Sequence, residues 1–133
     1  FHYGNEFTER EIEKVVNLMD HSYVSGLTLL GGEPFEHVNQ QGLLPLVKKV
    51  KEKFSNKNIW CYSGYTFEKD IIERMCKEWK ETPELLSYID VLVDGEFQED
   101  KKDIKLKFRG SSNQRIIDVK KSLKNNKTVL FDV

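Results

Sequence analysis

The stretch LTLLGGEPF (residues 27–35) decides how this chain is read. Leu27, Thr28, Leu29 and Leu30 form a short, almost wholly apolar run, the mark of a strand covered on both faces. The run stops at Gly31 and Gly32, followed at once by an acid, Glu33, and by Pro34. Proline cannot donate to a sheet ladder, so the strand ends there. Two more apolar runs close in the same manner, NIWCYSGYT at a Ser-Gly pair and IDVLVDGEF at an Asp-Gly pair. Helical patterns separate them. Strand and helix alternate, which predicts an α/β domain with a mostly parallel sheet, flanking helices and right-handed crossovers.

The helices carry their own signals. In FTEREIEKVVNLM, Thr8 and Glu11 are spaced as a capping box, and Phe7 and Ile12 as a hydrophobic staple. Ile12, Val15, Val16 and Met19 fall on one face. A second helix is predicted over residues 41–54, with Leu43, Val47, Val50 and Phe54 inward and Pro45 confined to the first turn. Thr66 caps a third, whose stripe is Phe67, Ile71, Met75 and Trp79, with Glu68 and Asp70 near its positive end. QRIIDV and TVLFDV are two further strand candidates. With no internal repeat or linker, residues 1–133 read as a single domain.

Composition narrows the functional classes. The 133 residues carry a net charge of −1 and contain no long apolar window or secretory signal. A soluble, cytoplasmic protein is expected, with no membrane or nucleic-acid partner. Cys61 and Cys76 are too few for a disulfide framework and are expected to be buried, reduced packing residues. Residues 101–127 hold ten basic side chains against two acidic ones. That segment is either a solvated face or a surface for an anionic ligand or acidic partner.

In parallel α/β sheets ligands sit beyond the carboxyl ends of the strands. Three such ends with glycine and a polar neighbour imply a cleft. The dinucleotide, P-loop and nucleophile-elbow glycine motifs are all missing. His2, His21 and His37 have no metal-ligand spacing. Gly31 and Gly32 let a ligand approach the backbone closely, and carbonyls at a frayed strand end are unpaired acceptors. With Glu33 beside them, these groups suit a cation bearing several N–H donors, such as an ammonium.

Taken together, LTLLGGEPF, IWCYSGYTFE, IDVLVDGEFQED and KFRGSSNQRIIDV resemble the glycyl-radical activases of anaerobic ribonucleoside-triphosphate reductase, a family of radical S-adenosylmethionine enzymes. The resemblance runs over nearly the whole chain. It implies a partial (β/α)6 barrel, here missing its first strand. It also implies that Gly31, Gly32, Glu33 and Pro34 hold the amino group of S-adenosylmethionine. Ser63 and Gly64 would lie near that cofactor, Asp94 would reach its ribose or amino-acid part, and Arg109 would pair with its carboxylate or with a partner group. Glu96 stands where relatives can carry a lysine and receives no role.

In that family a [4Fe-4S] cluster held by a C-x3-C-x2-C loop passes an electron to the sulfonium. A 5′-deoxyadenosyl radical forms and takes hydrogen from a glycine of the reductase large subunit, the partner the resemblance implies. The electron donor would be a protein such as a flavodoxin. This chain has no such cysteine loop, and the cluster cysteines are expected upstream of Phe1. The chain as given is then expected to lack activity. Without its first strand the sheet would bare the edge of the Leu27 strand, which is expected to rearrange or to pair in a homodimer. The rival reading is a non-catalytic α/β module that binds a nucleoside-type ligand or a protein partner, favoured by the basic segment. A phospho-acceptor domain of flavodoxin-like build fits less well, because Asp94 and Glu33 supply only part of the acidic cluster it needs.

Overall fold

The computed structural model describes residues 9–21, 24–29 and 32–132. Among them the order is α1 (Glu9–Met19), β1 (Gly26–Leu29), α2 (His37–Lys53), β2 (Asn58–Tyr62), a π-helix (Phe67–Met75) running into α3 (Cys76–Glu78), α4 (Glu81–Tyr88), β3 (Val91–Asp94), a 3-10 turn (Glu99–Lys101), β4 (Arg115–Asp118) and α5 (Val119–Asn125). The sheet order is β1-β2-β3-β4. β1 and β2 are parallel, with Leu29 opposite Cys61, and β2 and β3 are parallel, with Tyr62 opposite Val93.

The sheet is parallel through β3, as expected of a mostly parallel sheet, and reverses at its last strand. β4 runs antiparallel to β3, with Arg115 directly opposite Asp94. A parallel return needs a crossover, usually a helix. Residues 95–114 supply only the 3-10 turn, so the chain folds straight back. The result is an α/β fold with a mixed four-stranded sheet. TVLFDV contributes a single antiparallel bridge, Leu130 to Ile117, instead of a strand.

Side-chain alternation along β2 sorts the two faces. Ile59 and Cys61 point into the main core, with Leu29, Leu92 and Ile117 from the neighbouring strands. The inner faces of the helices meet them there: Ile12, Val16 and Met19 of α1, Leu43, Val47 and Val50 of α2, and Leu85 and Leu86 of α4. Each such buried side chain contributes about 1.5–3 kcal/mol relative to exposure. Trp60 and Tyr62 point the other way, onto a smaller cluster of Val91, Val93 and Ile116. The main core therefore lies on the helical side of the sheet.

Four local expectations change. α2 begins at His37, so Pro45 lies in the helix interior. Pro45 is exposed, and water can satisfy the Gln41 carbonyl that loses its intrahelical donor. Thr66 precedes a helix, but its hydroxyl does not cap it; Asp70 reaches back and accepts from the Thr66 N–H at 2.8 Å and its Oγ1 at 3.2 Å. The helix itself is wound as a π-helix. Phe67, Ile71 and Met75 are buried at strict four-residue intervals, a spacing that a winding wider than 3.6 residues per turn keeps in line. Cys61 is buried as expected, whereas Cys76 is only half-buried. The capping box and staple of α1 involve Thr8 and Phe7, outside the described residues.

Candidate functional site

The carboxyl ends of β1, β2 and β3 meet at a cleft of about 310 Å³. Glu33, Pro34, Ser63 and Gly64 line one side; Glu96, Phe97 and Gln114 line the other. Glu33 is the hub. Its Oε2 accepts the Phe35 N–H at 2.9 Å and the Ser63 hydroxyl at 2.8 Å, and its Oε1 accepts the Gly64 N–H at 2.7 Å. The Glu33 carbonyl accepts from Asn39 Nδ2 at 2.8 Å. A carboxylate offers about four acceptor positions, so among the described residues one on Oε1 has no donor. Among the described residues, a Cβ built on Gly32 would meet only Asn39 Nδ2, at 4.0 Å. Gly31 lies outside the described residues.

Tyr65 spans the rim of the same corner. Its hydroxyl donates to Glu36 at 2.5 Å, and this bond, with smaller help from desolvation, pushes the phenol up to about 12. The loop after β1 is thus tied to the loop after β2 at two places, Glu33 with Ser63 and Gly64, and Glu36 with Tyr65.

The two most particular sequence motifs dock on each other residue by residue. Gly95 adopts φ +99°, a conformation open to glycine, and turns the chain out of β3. The Gly95 carbonyl accepts from Gln114 Nε2 at 3.1 Å, the Glu96 carbonyl accepts from Asn113 Nδ2 at 2.7 Å, and the Gln98 N–H donates to Ser111 Oγ at 3.2 Å. A Cβ on Gly110 would fall 3.0 Å from the Phe97 ring. RGSSNQR is therefore a brace that sets the cleft wall made by Glu96 and Phe97.

Asp94 and Arg109 are committed elsewhere. Asp94 is 1% exposed. It accepts from Arg115 Nε at 3.0 Å, from Arg115 Nη2 at 2.5 Å, and from the Phe67 N–H at 2.8 Å. Arg109 donates to the Gln114 carbonyl at 2.5 Å and belongs to the brace. Arg115, Glu36 and Tyr65 went unread in the sequence. Arg115 also grips Glu68, at 2.8 and 2.6 Å. That fork, aided by the Thr128 hydroxyl, holds the Glu68 carboxyl down at about 2, and the two acids drive the guanidinium upward.

The family model described as 4Fe-4S single cluster domain matches residues 1–117. The anaerobic ribonucleoside-triphosphate reductase-activating protein of Enterobacteria phage T4 is 37% identical over 113 residues, 85% of this chain and 65% of its own length. The protein of that name from Pasteurella multocida is 44% identical over 94 residues, 68% of this chain and 54% of its own. The one from Vibrio cholerae is 36% identical over 116 residues, 85% and 69%. The chain thus spans between about half and two thirds of the length of these relatives. No solved structure matches it.

The thiols do not fit a cluster. Such clusters are held by grouped cysteine thiolates, and this sequence has two cysteines. Cys61 is sealed in the core, where burial and then the nearby Glu33 charge push its thiol well above the ordinary range. Burial raises Cys76 as well. Among the described residues, no group of three or more His, Cys, Asp or Glu side chains is disposed to hold a metal ion. On sequence, nevertheless, the chain belongs to the family of anaerobic ribonucleoside-triphosphate reductase-activating proteins, within the 4Fe-4S single cluster domains.

Proposed function

We propose that this cleft holds the amino-acid end of S-adenosylmethionine, and that the chain is the cofactor-binding part of an activase that installs a glycyl radical in anaerobic ribonucleoside-triphosphate reductase. The observation that carries this reading is the Glu33 carboxylate, which lines the cleft, is fixed by three donors from two loops and has one acceptor position without a donor among the described residues. A carboxylate held so needs no reorganisation to meet an ammonium, and a charge-assisted bond of that kind is about twice as strong as a neutral one.

Gly32 leaves room for the ligand, and Pro34 lines the cleft. Ser63 and Gly64 aim the carboxylate. Asp94 and Arg109 shape the cleft through Arg115 and Gln114 and leave ligand contact to the other residues. S-adenosylmethionine, when bound, supplies a sulfonium whose reductive cleavage starts the activation. Cys61 and Cys76 supply no site for a cluster, so the chain by itself does not deliver the electron. The sheet is read as part of a larger radical-type barrel, the reductase large subunit as partner and a flavodoxin-type protein as donor, all on the strength of the family resemblance.

Titration calorimetry of the intact protein with S-adenosylmethionine tests the site. Gly32→Val is expected to abolish binding while the fold persists, because the space above Gly32 is open. Unchanged affinity in that variant would sink the reading.

A further inference from the structure

The loop that aims Glu33 is itself held from its far end. Residues 63–67 leave β2 with the Ser63 N–H on the Val93 carbonyl at 3.0 Å, and the Tyr65 carbonyl accepts from the Gly95 N–H at 3.2 Å. The next two anchors both depend on Arg115. The Phe67 N–H ends on Asp94 Oδ2 at 2.8 Å, and Asp94 is a buried carboxylate whose paired cation is Arg115. Glu68, the residue after Phe67, accepts the other side of the same guanidinium.

One arginine on β4 therefore grips an acid at the end of β3 and an acid in the first turn of the π-helix. Thr128 adds a hydroxyl bond to Glu68 from the C-terminal segment. Without the guanidinium, Asp94 would be left buried and uncompensated, a costly state. Water drawn in to solvate it would compete with the Phe67 N–H and weaken that hold.

We infer that Arg115 is a positioning residue for the cleft: through Asp94 and Glu68 it fixes the start of the π-helix, and so sets where Ser63 and Gly64 present their donors to Glu33. The part of this inference that concerns affinity rests on the S-adenosylmethionine reading above; the part that concerns the loop does not. Lysine cannot replace the arginine fully, because it is a point charge without the planar fork that spans both carboxylates.

The experiment compares Arg115→Gln, Arg115→Lys and Glu68→Gln with the wild type in the intact protein, by amide hydrogen exchange and by titration with S-adenosylmethionine. In Arg115→Gln the Gly64 and Phe67 amides are expected to exchange about tenfold to a hundredfold faster, the scale of losing a hydrogen bond to a charged group. The strand amide of Cys61 should move much less. The dissociation constant should rise by a similar factor, with Arg115→Lys falling between. Glu68→Gln, at a half-exposed position that the fold tolerates, should accelerate the same two amides more modestly; it decides the matter if Arg115→Gln does not fold. Wild-type exchange at Gly64 and Phe67 in the folded variants overturns the inference, as does uniform acceleration of all amides with unchanged affinity. A wild-type protein that ignores S-adenosylmethionine while these amides respond sinks the ligand and keeps the positioning role.

Discussion

The Glu33 carboxylate accepts the backbone proton of Gly64 at 2.7 Å across 31 positions of sequence. This bond, with the one from Ser63 Oγ at 2.8 Å, makes the ends of β1 and β2 a single corner. Glu33→Gln keeps the size but turns half of the acceptor pair into a donor. Whichever way the amide lies, at least one of the three N–H and O–H groups now on Glu33 faces another donor. A loss of about 1–3 kcal/mol in unfolding free energy is expected, read from the urea midpoint at unchanged slope. On the proposed function, affinity for S-adenosylmethionine should fall in the same variant. Full stability would mean that the corner is held by other groups.

Gly26 tests the sheet apart from the site. It stands opposite Asn58 at the start of the β1–β2 ladder, and a Cβ there would lie 2.3 Å from the Asn58 carbonyl oxygen. That neighbour is backbone and cannot swing aside. Gly26→Ala is expected to destabilise by about 1–3 kcal/mol, the usual scale of overpacking, in denaturant titration. A neutral result would show that β1 is free to slide away from β2.

The cleft was legible in the sequence because strand ends speak through single residues. An apolar run that stops at Gly31-Gly32-Glu33-Pro34, at Ser63-Gly64 or at Asp94-Gly95 has few other readings, and from those three ends Glu33, Pro34, Ser63, Gly64 and Gly95 do line one space. The arginine that organises it was hidden by a topological assumption. Asp94 and Arg115 are opposite partners only if β4 is antiparallel, whereas strand–helix alternation suggested a mostly parallel sheet and did not say which strand would reverse. Helix starts were hidden for a different reason. Pro45 argues locally for a first turn, but the exposed side of α2 tolerates it, so the true start at His37 lay about one turn before the expected one at residue 41. The π-helix left a trace in the four-residue spacing of Phe67, Ile71 and Met75, which an α-helix with a drifting stripe also allows.

The cysteines supply a chemical check on the poor fit to a cluster. Thiolate is the nucleophile and the ligand, and burial holds Cys61 in its thiol form. Iodoacetamide is expected to modify Cys76 slowly and Cys61 only after denaturation. Anaerobic incubation of this chain with iron and sulfide should leave no stoichiometric cluster absorbance. Native-state alkylation of Cys61 at the rate of Cys76, or one cluster bound per chain, would overturn the assignment.

Acid sensitivity should trace the Arg115 fork. Glu68 ordinarily titrates near 4.5 and is held at about 2 in the folded chain, first by its bonds to Arg115 and then by Thr128. A depressed folded-state value means that the unfolded chain binds the proton more readily. The stabilisation is therefore complete above 4.5 and drains away as pH falls from there through about 2. Arg115 stays charged across that window, so the change belongs to the carboxylate. The Glu68 side chain is 42% exposed, so solvent screening keeps the effect well below that of a sealed pair. Urea midpoints of the wild type should fall across this window more steeply than those of Glu68→Gln, and the two curves should converge toward its acid end. Parallel acid limbs in the two proteins would show that the guanidinium does not hold Glu68 in solution.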